Sequence, residues 1–152
     1  QDLTRKAVDL YRERFLDTGW KENKPYDGIV DALKAVASAG HLMFVATAKP
    51  HMHAARIIEH FGMGEFFATV YGSELDGTRG TKTELLEFAI GRNPGGTRHI
   101  MVGDRKHDLI GAVANKMTPV GVAYGYGSVE ELTAAGATAI AVSPADLPGI
   151  LT

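Results

Sequence analysis

The sequence predicts an α/β fold built on a mostly parallel sheet, and three observations carry that expectation. After Lys24, short apolar runs of strand length alternate with longer stretches of helical periodicity, the rhythm of βα units. Glycine, 18 of 152 residues, gathers where those stretches meet, as turn and cap residues do. The length suits one domain with a buried core, and 45% apolar with 22% charged residues is the composition of a globular chain.

Each element follows from its local pattern. Leu3, Ala7, Leu10, Tyr11 and Phe15 recur at three- and four-residue steps, predicting an amphipathic helix. A polar break through Asp17 to Gly19 and Lys21 to Pro25 follows it. Asp27 is placed to cap a second helix that runs to Ser38 and stops at Gly40. Strands are expected at Leu42 to Ala46, Phe67 to Tyr71, His99 to Val102, Pro119 to Ala123 and Ala139 to Val142. Between them lie helices at His51 to Phe61, Thr81 to Gly91, Asp108 to Asn115 and Val129 to Ala135, with a short one after Pro144.

Charge and composition exclude several function classes. Sixteen basic residues against eighteen acidic ones leave a net charge of −2, without the basic footprint of a nucleic-acid binder. Cysteine is absent, which removes disulfides, thiolate nucleophiles and cysteine metal sites. No apolar run approaches the roughly 20 residues of a membrane span, and no signal-peptide pattern is seen. A cytoplasmic protein with no nucleic-acid or membrane partner is expected. The chain opens on Gln1 already inside a helical pattern, so an upstream piece is expected too.

In a parallel sheet, ligands bind beyond the carboxyl ends of the strands. At one such end, His99 to Val102 runs into Gly103-Asp104, with Asp108 four residues further on. Two carboxylates at one point suit Mg²⁺, which takes one or two of them plus water and phosphate oxygens. The competing reading is that Asp104 caps the next helix and Asp108 favours its N-terminus. At another strand end, Thr47 and the following amide of Ala48 suit a phosphate oxygen, although a threonine there is more often an ordinary helix cap. Lys82 opens a helix whose dipole it opposes, which fits either a phosphate-neutralising cation or a solvated surface lysine. His51 and His53, two apart on a helix, point about 200° apart and make a poor metal pair. Tyr124-Gly125-Tyr126-Gly127 reads as a flexible loop over the crevice, without the dinucleotide-binding spacing.

Taken in order, Thr47, Lys82 and Gly103-Asp104 with Asp108 resemble motifs two, three and four of the haloacid dehalogenase-like hydrolase superfamily. Thr47-Ala48-Lys49-Pro50 and Tyr71 through Arg79 are similar to its phosphoglycolate phosphatase and 5′-nucleotidase-like branch. The resemblance implies a Rossmann-like three-layer α/β/α core at residues 21–152, with residues 1–20 as a remnant of a helical cap. It implies a Mg²⁺-dependent phosphatase acting on a small phosphorylated metabolite through an aspartyl-phosphate intermediate. In that scheme Thr47 and Lys82 are catalytic, Thr47, Ala48 and Lys82 bind phosphate, and Asp104 and Asp108 serve the metal. Motif one, an apolar strand followed by Asp-x-Asp-Gly-Thr, has no counterpart here. Glu74 through Thr78 imitates it, but begins with Glu and precedes Lys82, and is expected to be a substrate-side loop. The sheet is therefore expected to lack its central strand, leaving a gap between the strand at Leu42 and the outer edge, and the chain alone is expected to be inactive. Two other classes stay open: a non-catalytic phosphate- and metal-binding module, and a receiver-type signalling domain.

Overall fold

A computed structural model describes residues 3, 6, 7, 10, 13, 14, 18–74, 76–96 and 98–151. The described positions before Thr18 are helical, with Leu3 and Leu10 exposed, while Tyr11 and Phe15 of the expected first helix lie outside the described residues. A 3₁₀ turn at Gly19–Lys21 then buries Trp20. The Arg56 guanidinium stacks 3.8 Å from the Trp20 ring, and His60 meets it edge-on.

From there the alternation is that of the sequence: α1 (Ile29–Ser38), β1 (Met43–Pro50), α2 (His51–His60), β2 (Phe67–Ser73), α3 (Lys82–Arg92) and β3 (Ile100–Gly103). Next come α4 (Lys106–Ala114), β4 (Thr118–Val122), α5 (Val129–Ala134), β5 (Ala139–Ala141) and α6 (Leu147–Leu151). One helix cap and one strand end differ from expectation. Asp27 does not cap α1; Gly28 holds that place at φ +83°, a left-handed conformation that glycine adopts without strain. β1 runs four residues past Ala46 because Ser73 keeps pairing with it at Pro50, and α2 begins at His51, as the sequence predicts.

All strand pairs are parallel, and they fall into two sheets, β1 with β2 and β3 with β4 and β5. The break lies on the inner side of β1, facing β3, rather than toward the outer edge, where β2 already pairs with it. Leu109 and Ala112 of α4 are fully buried, as is Leu132 of α5, so β3 and β4 carry a complete helical layer on that face. Val122, Ala141 and Leu147 close the other face, with Ile29 of α1 packed on them. Leu86 of α3, Met101 of β3 and Ala112 of α4 form one buried cluster with Ala46 of β1 packed against it, which joins the two sheets; burying a leucine such as Leu86 contributes roughly 1.5–3 kcal/mol.

Candidate active site

The carboxyl ends of β1 and β3 are joined by one side chain. Lys82 opens α3, whose start is set by a reciprocal cap: Thr81 Oγ1 accepts from the Glu84 amide and Glu84 accepts from the Thr81 amide, each at 3.3 Å. From there the Lys82 ammonium donates to the Ala46 carbonyl at 2.7 Å and meets Asp108 Oδ1 at 2.9 Å. The two side chains are only 11% and 12% exposed, so Lys82 is not the solvated surface lysine of the competing reading. Gly111 makes the route possible: a Cβ there would stand 3.0 Å from Lys82 Cγ, so a side chain would crowd the passage between α3 and α4.

Asp108 is held from both sides. Its Oδ2 accepts the Arg105 amide at 3.1 Å while Oδ1 binds Lys82. Gly103 is what lets it lie so close, since a Cβ at that position would sit 2.2 Å from Asp108 Cβ. Asp104 does not cap α4. Its Oδ2 accepts the Tyr126 amide at 2.9 Å, and its own carbonyl accepts the Gly127 amide at 2.9 Å. The Tyr124 to Gly127 segment is therefore pinned to Asp104, and Tyr124 and Tyr126 line the cavity between β1 and β3. Gly125 and Gly127 are required by this approach, because a Cβ would meet Asp104 Cβ at 2.3 Å or its carbonyl at 2.2 Å.

Thr47 lies next to the carbonyl that Lys82 binds, and its Oγ1 accepts the Lys49 amide at 3.2 Å. It closes a small turn inside β1 instead of capping α2. Because the hydroxyl oxygen accepts from Lys49, its own proton is directed elsewhere. Ala48, expected beside it as a phosphate donor, gives its carbonyl to Ser73 Oγ at 2.9 Å, which ties the ends of β1 and β2 together. Gly72 allows that closeness, since a Cβ there would stand 2.5 Å from the Lys49 carbonyl.

The Glu74 to Thr78 segment closes on itself after β2: the Glu74 amide donates to the Thr78 carbonyl and the Thr78 amide to Asp76 Oδ1. Those amide bonds, Thr78 first, hold the Asp76 carboxyl below its ordinary value. Glu74 pairs with Arg79 and its Oε2 stands 4.0 Å from His51 Nδ1, and the turn lines a cavity of about 290 Å³ together with His51 and His53. The segment lies beside the strand ends and carries none of the contacts that bind Lys82.

Two tyrosines stand near Asp104. Tyr26 and Tyr124 meet edge-on, ring centroids 5.0 Å apart. Burial first, then the charges of Tyr26 and Asp104, push the Tyr124 hydroxyl up to about 12. Sequence reasoning missed this pair, and also Glu131. Ser128 and Glu131 have the spacing of a capping box, yet only the Ser128 half forms, accepting the Glu131 amide at 3.1 Å. The Glu131 carboxylate instead crosses to the Lys106 amide at 2.8 Å and Arg105 Nε at 2.9 Å. Nothing local in the sequence signals that crossing.

The chain matches a family described as haloacid dehalogenase-like hydrolase over residues 1–122. A 5′-nucleotidase of Pseudomonas aeruginosa is 46% identical over 130 residues, which is 85% of this chain and 59% of that protein. Tyrosine-protein kinase PtkA of Mycobacterium tuberculosis is 36% identical over 136 residues, 89% of this chain and 47% of the kinase. Among solved structures, a predicted phosphatase from Clostridium acetobutylicum superposes with a TM-score of 0.90 at 39% identity, covering 95% of this chain and 68% of that one. The chain thus spans about half to three-fifths of the length of these curated relatives.

Proposed function

The chain belongs to the haloacid dehalogenase-like hydrolases, and from that premise we propose that it is the α/β core of a Mg²⁺-dependent phosphatase acting on a small phosphate monoester. The observation that carries this reading is the buried Lys82 ammonium, held between the end of β1 and Asp108 and adjacent to Thr47. A fixed, largely desolvated cation stabilises charge developing on a transferring phosphoryl group. Residues 1–20 belong, in this reading, to a helical cap.

No group of three His, Asp or Glu side chains converges among the described residues, so the site is not a closed protein cage for Mg²⁺. Mg²⁺ needs only one or two carboxylates when water and phosphate oxygens complete its shell. Asp104 fits as the ligand, with Oδ2 already oriented by the Tyr126 amide. Asp108, whose two oxygens serve Lys82 and the Arg105 amide, supports the site chiefly by fixing Lys82. When bound, the ion screens the charge between an attacking carboxylate and the phosphoryl oxygens.

In this scheme the phosphoryl group lies beyond the ends of β1 and β3. The Thr47 hydroxyl donates its proton to one phosphoryl oxygen, the Ala48 amide faces another, and Lys82 neutralises the charge. The attacking aspartate has no counterpart among the 152 residues. Delivered to the same strand ends, its oxygen bonds to phosphorus as the P–O ester bond breaks and the leaving alkoxide takes a proton from solvent; water then attacks phosphorus, breaking the aspartyl O–P bond, and releases orthophosphate and the free carboxylate.

The test is release of orthophosphate from phosphoglycolate, nucleoside 5′-monophosphates and sugar phosphates by the protein at its natural length, with Mg²⁺ and with chelator. Asp104→Ala and chelator are each expected to lower the rate at least about 100-fold. An unchanged rate in Asp104→Ala overturns the assignment. The kinase name of the mycobacterial relative makes a tyrosine hydroxyl a second acceptor to include beside water.

A further inference from the structure

The cavity of about 290 Å³ at the ends of β1 and β2 is lined by the start of α2 and by the turn that follows β2. It adjoins the phosphoryl site through one hydrogen bond. Ser73, one of its lining residues, donates from Oγ to the carbonyl of Ala48, the residue after Thr47, at 2.9 Å.

The side chains that line it offer acceptors. Ser73 is only 8% exposed, and because its hydroxyl proton goes to Ala48, its oxygen has only lone pairs for a further partner. Glu74 gives Oε1 to Arg79, while its Oε2 stands 4.0 Å from His51 Nδ1, beyond hydrogen-bond reach. Asp76 is steadied by the Thr78 amide, a dipole that leaves the negative charge in place and holds the carboxyl below its ordinary value.

The charges inside the cavity do not cancel. Arg79 offsets Glu74 from outside the lining, its guanidinium lying 4.3 Å over the Phe88 ring. The N-terminus of α2, which has no side-chain cap, contributes a partial positive charge of about half a unit. Two full carboxylates outweigh that half charge. A group that answers lone pairs and surplus negative charge together is a cationic donor, an ammonium, whereas a carboxylate meets like charge on Glu74 and Asp76. Pro50 and Met52 supply apolar surface for methylenes behind it. Thr47 and Pro50 lie at most about 10 Å apart along β1 at the strand rise. The ammonium is therefore several bonds from the phosphorus.

We propose that this cavity is the leaving-group subsite and selects phosphate monoesters of amino alcohols, holding the ammonium with Ser73, Glu74 and Asp76. The proposal rests on the phosphatase reading and narrows its substrate class.

The experiment compares aminobutyl, butyl and carboxybutyl phosphate as substrates of the protein at its natural length with Mg²⁺, at about pH 8, where imidazoles are ordinarily neutral. The amine is expected to exceed the carboxylate in kcat/KM at least about tenfold, with butyl phosphate between them. Asp76→Asn keeps an acceptor for the Thr78 amide but loses the charge, and is expected to lower the ratio of amine to butyl ester at least about threefold. A second arm needs no phosphoryl chemistry: butylammonium is titrated into the 152-residue chain while amide chemical shifts are recorded. Saturable shifts are expected at Ser73, Glu74, Asp76 and the start of α2, and pentanoate is expected to give none there. A carboxylate ester turned over as well as the amine would mean that the α2 amides govern the cavity, and overturns the proposal. So does an amine preference unchanged in Asp76→Asn, or the absence of butylammonium shifts. Release of orthophosphate from none of the three esters rejects the phosphatase reading and the leaving-group role with it; the butylammonium shifts then decide whether the cavity itself is an amine site.

Discussion

Lys82 is the residue on which the site turns, and the small residues around it show how it is kept there. Gly111 lets its stem pass between α3 and α4, and Gly103 lets Asp108 lie against the end of β3. The sequence places Gly103 at a strand end and Gly111 inside a helix, and neither has a positive φ, so their role is steric rather than conformational. Gly103→Ala is accordingly expected to force Asp108 aside and cost roughly 1–3 kcal/mol, the penalty of overpacking. Urea denaturation measures the loss, and a variant as stable as the parent would mean that Asp108 has room to move. Asp104 depends on Gly125 and Gly127 in the same way, through contacts of its carboxylate and carbonyl.

At the scale of elements, α4 matters most because it begins between the two aspartates. Its start is clamped by α5 through Glu131, which accepts from the Lys106 amide and from Arg105 Nε. Those bonds, the Lys106 amide first, hold the Glu131 carboxyl below its ordinary 4.5. A depressed folded-state value means the clamp stabilises the fold above 4.5 and is lost as pH falls through the lowered value. The melting-temperature gap between the parent and Glu131→Gln should therefore be widest near neutrality and close below pH 4.5. A gap independent of pH would assign the effect to packing. The order and type of the elements were legible because periods of two and 3.6 residues alternate so regularly after Lys24. Their boundaries were less so: Asp27 yields its cap to Gly28, and β1 outlasts its apolar run because Ser73 continues to pair. Thr47, Lys82, Asp104 and Asp108 stood out by charge or hydroxyl at strand and helix ends. Glu131 and the Tyr26–Tyr124 pair did not, since tertiary contacts alone give them their places.

For the molecule as a whole, the defining feature is a parallel sheet in two halves, bridged at one end by Lys82 and walled by helices. No helix among the described residues is long and apolar enough to cross a membrane. The family supplies the scaffold, and relatives named as a nucleotidase and as a tyrosine kinase show that one scaffold carries more than one activity. What the account claims for this chain is a phosphoryl site at the bridged end. Binding of orthovanadate in the presence of Mg²⁺, followed by vanadium NMR, tests that claim without requiring turnover. The parent is expected to bind, and Lys82→Met, shown to be folded by circular dichroism, to bind at least about tenfold more weakly, as loss of one hydrogen bond from a charged group implies. Equal affinity in a folded Lys82→Met protein would contradict the account.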